Sequence, residues 1–160
     1  MSESGCQRDV ACQNLEVSGR TQLDTVSSKV PVVSITTATY PVSAGQTGTL
    51  FALNKADGIT VTLPAPAAGL NFDFVVATAP TSNTTTIVTT SSANIIHGQI
   101  TTSEDAGGSV ACVAEADTIT LVANTAIVGD RVQVVSDGTR YFVSGCVKLA
   151  TAATTTQASW

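Results

Sequence analysis

Acid–base or nucleophilic chemistry in this chain would have to come from a short set of side chains. The acids are Asp57, Asp73, Glu104, Asp105, Glu115, Asp117, Asp130 and Asp137, plus a few before residue 30, and His97 is the single histidine. Hydrolysis of a glycosidic bond needs two carboxyl groups held across a cleft, one of them with a raised pKa. Most of these acids stand beside Gly in turn-like stretches, where Asp serves local hydrogen bonding. Asp73 alternates with Phe72 and Phe74, the pattern of a solvent-facing strand residue. A carbohydrate-active enzyme would have Asp73 and Asp130 as its best acids. Serine or cysteine nucleophiles usually need a histidine base, and His97 has no acid or cysteine partner in sequence. It reads as a half-buried or interface histidine. Glu104 and Asp105 lack the regular spacing of a calcium loop, and the glycine-rich segments lack the strand-to-helix context of a phosphate loop. No catalytic, cofactor-binding or metal-binding residue is therefore assigned, and a non-enzymatic protein is expected.

The cysteines, Cys6, Cys12, Cys112 and Cys146, lack the paired spacing of a zinc site. Cys112 and Cys146 lie in apolar strand-like runs and read as small buried hydrophobes. Cys6 and Cys12 lie in a polar stretch, where an intrachain or interchain disulfide is open but not demanded. Seven Lys plus Arg against twelve Asp plus Glu leave a net charge of -5. Such a balance argues against nucleic-acid binding, which needs clustered positive charge, and against docking on anionic lipid. No run approaches the roughly 20 apolar residues that span a bilayer. The first residues have neither the basic nor the apolar region of a secretory signal, so folding in the cytoplasm of the producing cell is expected.

The elements that would position these groups are strands. Charged residues are 12% and aromatics 4%, while Thr makes up about a sixth of the chain. Thr and Val are stiff at χ1 and suit a pleated surface. Val32–Thr36, Thr49–Leu53, Ile59–Leu63, Phe72–Val76, Thr85–Thr90, Asn94–Ile100, Val110–Val113, Thr118–Val122, Arg131–Val135 and Arg140–Ser144 all read as strands. Ile59, Val61 and Leu63 should point inward, with Thr60 and Thr62 outward. Gly98 suggests a bend or bulge. Asp57-Gly58 and Asp137-Gly138 each offer the positive φ of a tight hairpin, and Pro64 and Pro66 should end pairing. The best helical stretches, Ala65–Leu70 and Ala123–Val128, are too short. Ala56-Asp57-x-Ile59-Thr60, with Gly69 and Val75, echoes Ala116-Asp117-x-Ile119-Thr120, with Gly129 and Val135, at an offset of 60. Convergent strand grammar and two related halves both account for it. The layout is an all-β fold: a single β-sandwich, jelly-roll-like or barrel domain over residues 31–149. An extended N-terminal arm over 1–30 and a C-terminal tail over 150–160 flank it.

Several segments resemble known proteins. Gly58-Ile59-Thr60-Val61-Thr62-Leu63-Pro64-Ala65-Pro66, followed by Gly69, Leu70, Phe72 and Phe74, is similar to a run in small structural proteins of tailed phages. The stretch from Gly129 to Gly145, with Val132, Val134, Asp137-Gly138-Thr139, Tyr141 and Val143, resembles a hairpin that closes the same β-domains, with Arg140 where the family often has Trp. Asn14-Leu15-x-Val17-x-Gly19-x-Thr21-x-Leu23 resembles extended segments of trimeric phage fibres. The resemblance covers about half the chain and implies a virion structural protein. At this length it implies a capsid decoration (cement) protein: a homotrimer on the capsid surface, assembled in the host cytoplasm, bridging subunits of the major capsid protein. A receptor-binding or fibre-tip domain is the alternative, with a loop such as Thr81–Thr86 holding a host glycan. No nucleic acid or membrane partner is implied.

Overall fold

A computed structural model describes residues 29–90, 93–103 and 109–148. The arm over 1–30 falls outside the described residues except for its last two, and the tail over 150–160, Glu104 and Asp105 fall outside them altogether. The described chain is all-β, with eleven strands in two open sheets and a single 3-10 turn at Ala44–Gln46. In chain order the strands are β1 (Val32–Ile35), β2 (Thr39–Pro41), β3 (Thr49–Asn54), β4 (Thr60–Thr62), β5 (Ala68–Thr78), β6 (Thr85–Val88), β7 (Ile96–Ser103), β8 (Ser109–Ala116), β9 (Thr118–Leu121), β10 (Arg131–Asp137) and β11 (Tyr141–Lys148). Seven form one sheet in the order β1-β3-β5-β10-β11-β7-β8, and four form the other in the order β2-β4-β6-β9.

The first six strands alternate between the sheets and run parallel within each, so the chain winds like a flattened coil. One consequence corrects an expectation. Asp57-Gly58 does not close a hairpin: β3 and β4 lie in different sheets, and the turn is an arch between them. Gly58 does adopt the expected positive φ, +80°. Its reason is also steric, since a Cβ there would stand 2.6 Å from the carbonyl oxygens of both Asn83 and Thr84. The arch is tied to the following loop by the Thr81 N–H, which donates to the Ala56 carbonyl at 2.8 Å. Asp137-Gly138, by contrast, joins β10 and β11 as the expected antiparallel hairpin.

Other expectations meet their physical reasons in the sheets. Tyr40-Pro41 belongs to β2 at the edge of the smaller sheet, where a missing N–H costs no ladder bond. Ala65–Leu70 and Ala123–Val128 are not helical. The register between β7 and β8 shifts at Ile96/Gly98, the bulge that Gly98 suggested. The two echoed segments occupy matching places: β4 and β9 both pair with β6, while β5 and β10 pair with one another. Gly69 and Gly129 both take positive φ where the chain returns to the larger sheet.

Period-two alternation drives one core between the sheets. Ile59, Val61 and Leu63 are buried as expected, and Val61, Ile87 and Ile119 form the inner row of the smaller sheet. The larger sheet answers with Phe51, Phe72 and Phe74, the rings of Phe51 and Phe74 stacked at 5.2 Å and Tyr40 tilted against Phe51 at 5.9 Å. Each such side chain contributes about 1.5–3 kcal/mol on leaving water. A polar tie joins the layers as well: the hydroxyl of Tyr141, on β11, donates to the Pro64 carbonyl beyond β4 at 2.8 Å.

Candidate interaction surface

The fold disperses the carboxylates and engages most of them locally. Lys55 donates to Asp57 at 3.0 Å, and this hydrogen bond, followed by the charge behind it, holds the Asp57 pKa below its ordinary value. Asp137 accepts the backbone N–H groups of Arg140 and Thr139, both at 2.7 Å, and they lower its pKa. Asp73 faces out from β5 and is gripped by Arg131, whose Nε donates to Oδ1 at 2.7 Å and whose Nη2 donates to Oδ2. Asp130 is buried and accepts the N–H groups of Ile127 at 3.0 Å and Lys148 at 2.8 Å. Burial raises its pKa, opposed by those two N–H groups. Asp117 Oδ1 and Asn94 Oδ1 are shut off from solvent without a hydrogen-bond partner, and Glu115 is exposed with φ +56°. Asp73 and Asp130, the two best acids by sequence, are thus spent on a guanidinium and on a turn. Among the described residues no group of three or more His, Cys, Asp or Glu could hold a metal ion.

His97 is half-buried on β7, in register with Phe142 of the neighbouring β11. Cys146 overturns its expectation: it is exposed, not buried. The alternation of β11 places it on the outer side, because Tyr141, Val143 and Val147 take the inward positions. The side chain of Cys112, and all of Cys6 and Cys12, lie outside the described residues. In the loop Thr81–Thr86 only Thr81, Ser82, Asn83 and Thr84 are exposed, since Thr85 and Thr86 already belong to β6.

What the fold does bring together is two outward faces. On the smaller sheet, strand register aligns Thr39, Thr60, Thr86 and Thr120 in one row and Pro41, Thr62, Val88 and Thr118 in the next. On the larger sheet, β5, β10, β11 and β7 set Asp73, Gln133, Ser144 and Gln99 in one row. The adjoining row is Asn71, Val135, Phe142 and His97. Val135 is 38% exposed and Phe142 45%, and they face one another across the hairpin. No family, curated protein or solved structure matches this chain.

A shallow depression of about 220 Å³, lined by Arg131, Gln133, Ser144, Gly145 and Cys146, lies beside that apolar pair. Its single guanidinium is engaged by Asp73. The face therefore offers amide, hydroxyl and imidazole groups around two apolar side chains, with Asp137 and Arg140 beside them at the hairpin, a mixture found in surfaces that meet other proteins. Sequence reasoning read Val135 and Phe142 as strand residues without setting them on a shared surface. Their odd–even places in β10 and β11 were visible, but their pairing came only with the hairpin register. Among the described residues no helix is long and apolar enough to cross a membrane.

Proposed function

We propose that this protein is a non-enzymatic structural subunit of a virus particle, a capsid decoration protein of the tailed-phage kind. In this reading it is a homotrimer of β-sandwiches with extended N-terminal arms, seated on the outer capsid surface and bridging major capsid subunits. The observation that carries the reading is the pair of sheet faces, where strand register sets out Thr, Gln, Ser and aliphatic side chains and Arg131 is paired with Asp73. Such faces suit repeated, close contact between protein surfaces. A subunit that binds only the assembled shell stabilises it by mass action, and arms that add strands to a neighbour's sheet edge would give main-chain hydrogen bonds with little sequence demand.

The phage-like motifs supply the particle, and the faces supply the mode of contact. The full chain, mixed with purified expanded heads of the parent phage, should co-sediment at saturable stoichiometry and raise the temperature at which the heads disassemble. Gold-labelled antibody should decorate the head. Label confined to the tail, together with no binding to heads, rejects the reading. It would favour a receptor-binding or fibre-tip domain, for which the exposed Thr81–Thr84 stretch is the natural glycan-contacting loop.

A further inference from the structure

The coil of β1 to β6 is open at its first turn. Among the described residues β1 is the outermost strand of the larger sheet at that end and β2 of the smaller. The N–H of Leu50, on β3, donates to the Pro31 carbonyl at 2.9 Å, which turns the backbone of Pro31, Val33 and Ile35 toward β3. In a parallel ladder the alternate residues, Val32 and Ser34, then direct their N–H and C=O groups at the open edge. The core is open at the same end. Val33 and Tyr40 are only partly buried, whereas their register partners one turn on, Phe51 and Val61, are fully buried. An open edge beside half-covered apolar side chains is a template for one more strand, and the end turn of a stacked coil needs a cap.

Spacing identifies the strand. β1 and β3 pair at a step of 18 residues, from Val32 with Leu50 to Ile35 with Leu53. One such step before β1 lies Asn14-Leu15-Glu16-Val17, in the 28 residues that precede the described chain. At this step Leu15 falls on Val33 and Val17 on Ile35, the inward positions of β1, while Asn14 and Glu16 fall on the exposed Val32 and Ser34. Within residues 1–28, Leu15 and Val17 are the only large aliphatic side chains two residues apart. The 14 residues from 18 to 31 are as many as those from 36 to 49, with which the chain crosses to the smaller sheet and returns to pair with β1. Thr21 and Leu23 fall out of step with the inward Tyr40 and Val42, so the match ends at Val17. We infer that residues 14–17 add as a parallel strand to the β1 edge of their own chain, with Leu15 and Val17 closing the core over Val33 and Ile35. The inference does not depend on the decoration reading, in which residues 1–13 remain as the reaching part of the arm. The entropy of ordering a short segment offsets much of what two aliphatic side chains gain. The strand therefore opens locally, without the rest of the molecule unfolding, and its mark is on β1 more than on the global midpoint.

Amide hydrogen exchange of the full chain, resolved by NMR, tests this. In wild type the Val32 and Ser34 N–H groups should be protected, and Leu15→Asp/Val17→Asp should speed their exchange by at least about tenfold. The Val33 and Ile35 N–H groups, which face β3, should change less. Val10→Asp, a like change in the same segment but outside the proposed strand, should leave all four as in wild type. Unchanged protection of Phe72 and Val134 in the central strands β5 and β10 shows that each variant is folded. A nitroxide on Glu16→Cys gives a second readout, in a chain with Cys6, Cys12 and Cys146 replaced by Ser and Cys112 by Ala. It should broaden the Val32 and Ser34 signals of the chain that carries it. Fast exchange of Val32 and Ser34 in wild type, or exchange that Leu15→Asp/Val17→Asp does not alter, overturns the inference. So does broadening seen only when nitroxide-bearing chains are mixed with isotope-labelled chains that lack the nitroxide, which would give the edge to a neighbouring copy.

Discussion

Replacing Tyr141 by Phe removes one oxygen from the interior and tests whether the two sheets are joined there. The side chain is fully buried, and its hydroxyl donates at 2.8 Å to the Pro64 carbonyl, 77 residues earlier in the chain. Losing a hydrogen bond of this kind costs about 0.5–1.5 kcal/mol, with a further penalty of about 1–3 kcal/mol if the carbonyl is left without a donor. Pro64 is only partly buried, so water can reach part of that oxygen, and a total near 1–2 kcal/mol is expected. The pH dependence is the sharper signature. Burial pushes the Tyr141 pKa from 10.0 up to about 12, because ionisation inside the core is penalised. A folded-state pKa above the unfolded value means that the contribution is fully present below pH 10 and is lost as pH rises through 12. At about 1.4 kcal/mol per pH unit the loss approaches 3 kcal/mol. Urea unfolding of wild type and Tyr141→Phe should therefore give a constant difference from pH 7 to 9 that shrinks, and then reverses, between pH 10 and 12. Parallel stability curves across that window would show that the hydroxyl ionises as freely in the folded protein as in water, and would refute the buried tie.

Asp130 should behave in the opposite sense to the surface acids. Asp130→Ala leaves the N–H groups of Ile127 and Lys148 without their acceptor and should cost about 2–3 kcal/mol in urea unfolding. Because burial raises the Asp130 pKa, its stabilising contribution is complete below the ordinary value of 3.8 and is lost as pH rises through the folded-state value; the cost of Asp130→Ala should therefore grow on acidification from pH 7. Asp57 and Asp137, whose pKa values are lowered, should lose their contributions as pH falls. Gly98→Ala would place a Cβ 2.0 Å from the Val143 carbonyl oxygen at a φ of +141°, with backbone on both sides of the clash. It should cost more than about 3 kcal/mol or abolish soluble expression, while Gly69→Ala, with nothing near the added methyl, should cost about 1 kcal/mol for its φ alone. Removing residues 1–28 should leave the unfolding midpoint of the remaining chain nearly unchanged, since the described core begins at Ile35. A large drop in midpoint would make that segment part of the core.

Much of the strand content was legible because period-two alternation is a local signal. Ile59, Val61 and Leu63 face the core as their spacing requires, and the β-branched runs all fall in strands or their immediate flanks. Cys146 shows the limit of that signal. It sits in an apolar run, yet with Gly145 on the inner side and Val147 taking the next inward place, its parity exposes it. Composition suggested burial, and alternation decided against it. Asp73 was legible as an outward residue, whereas its partner Arg131, 58 residues away, was not. Two strands distant in sequence had to become neighbours before that ion pair existed.

The same division runs through the whole molecule. By itself the sequence determined that the chain would be all-β, where most strands would lie, which residues would share a face, and that Asp137-Gly138 would turn the last hairpin. Only the tertiary structure decided which strands became neighbours: the coil of β1 to β6, the arch at Asp57-Gly58, and the alignment of Val135 with Phe142. The physical reason is that a positive φ at glycine bends the chain whether or not the flanking strands then pair. Pairing depends on how a strand fits against partners that arrive from elsewhere in the chain. Alternation says which side of a strand is apolar; the closing of two sheets over one core settles what lies beside it.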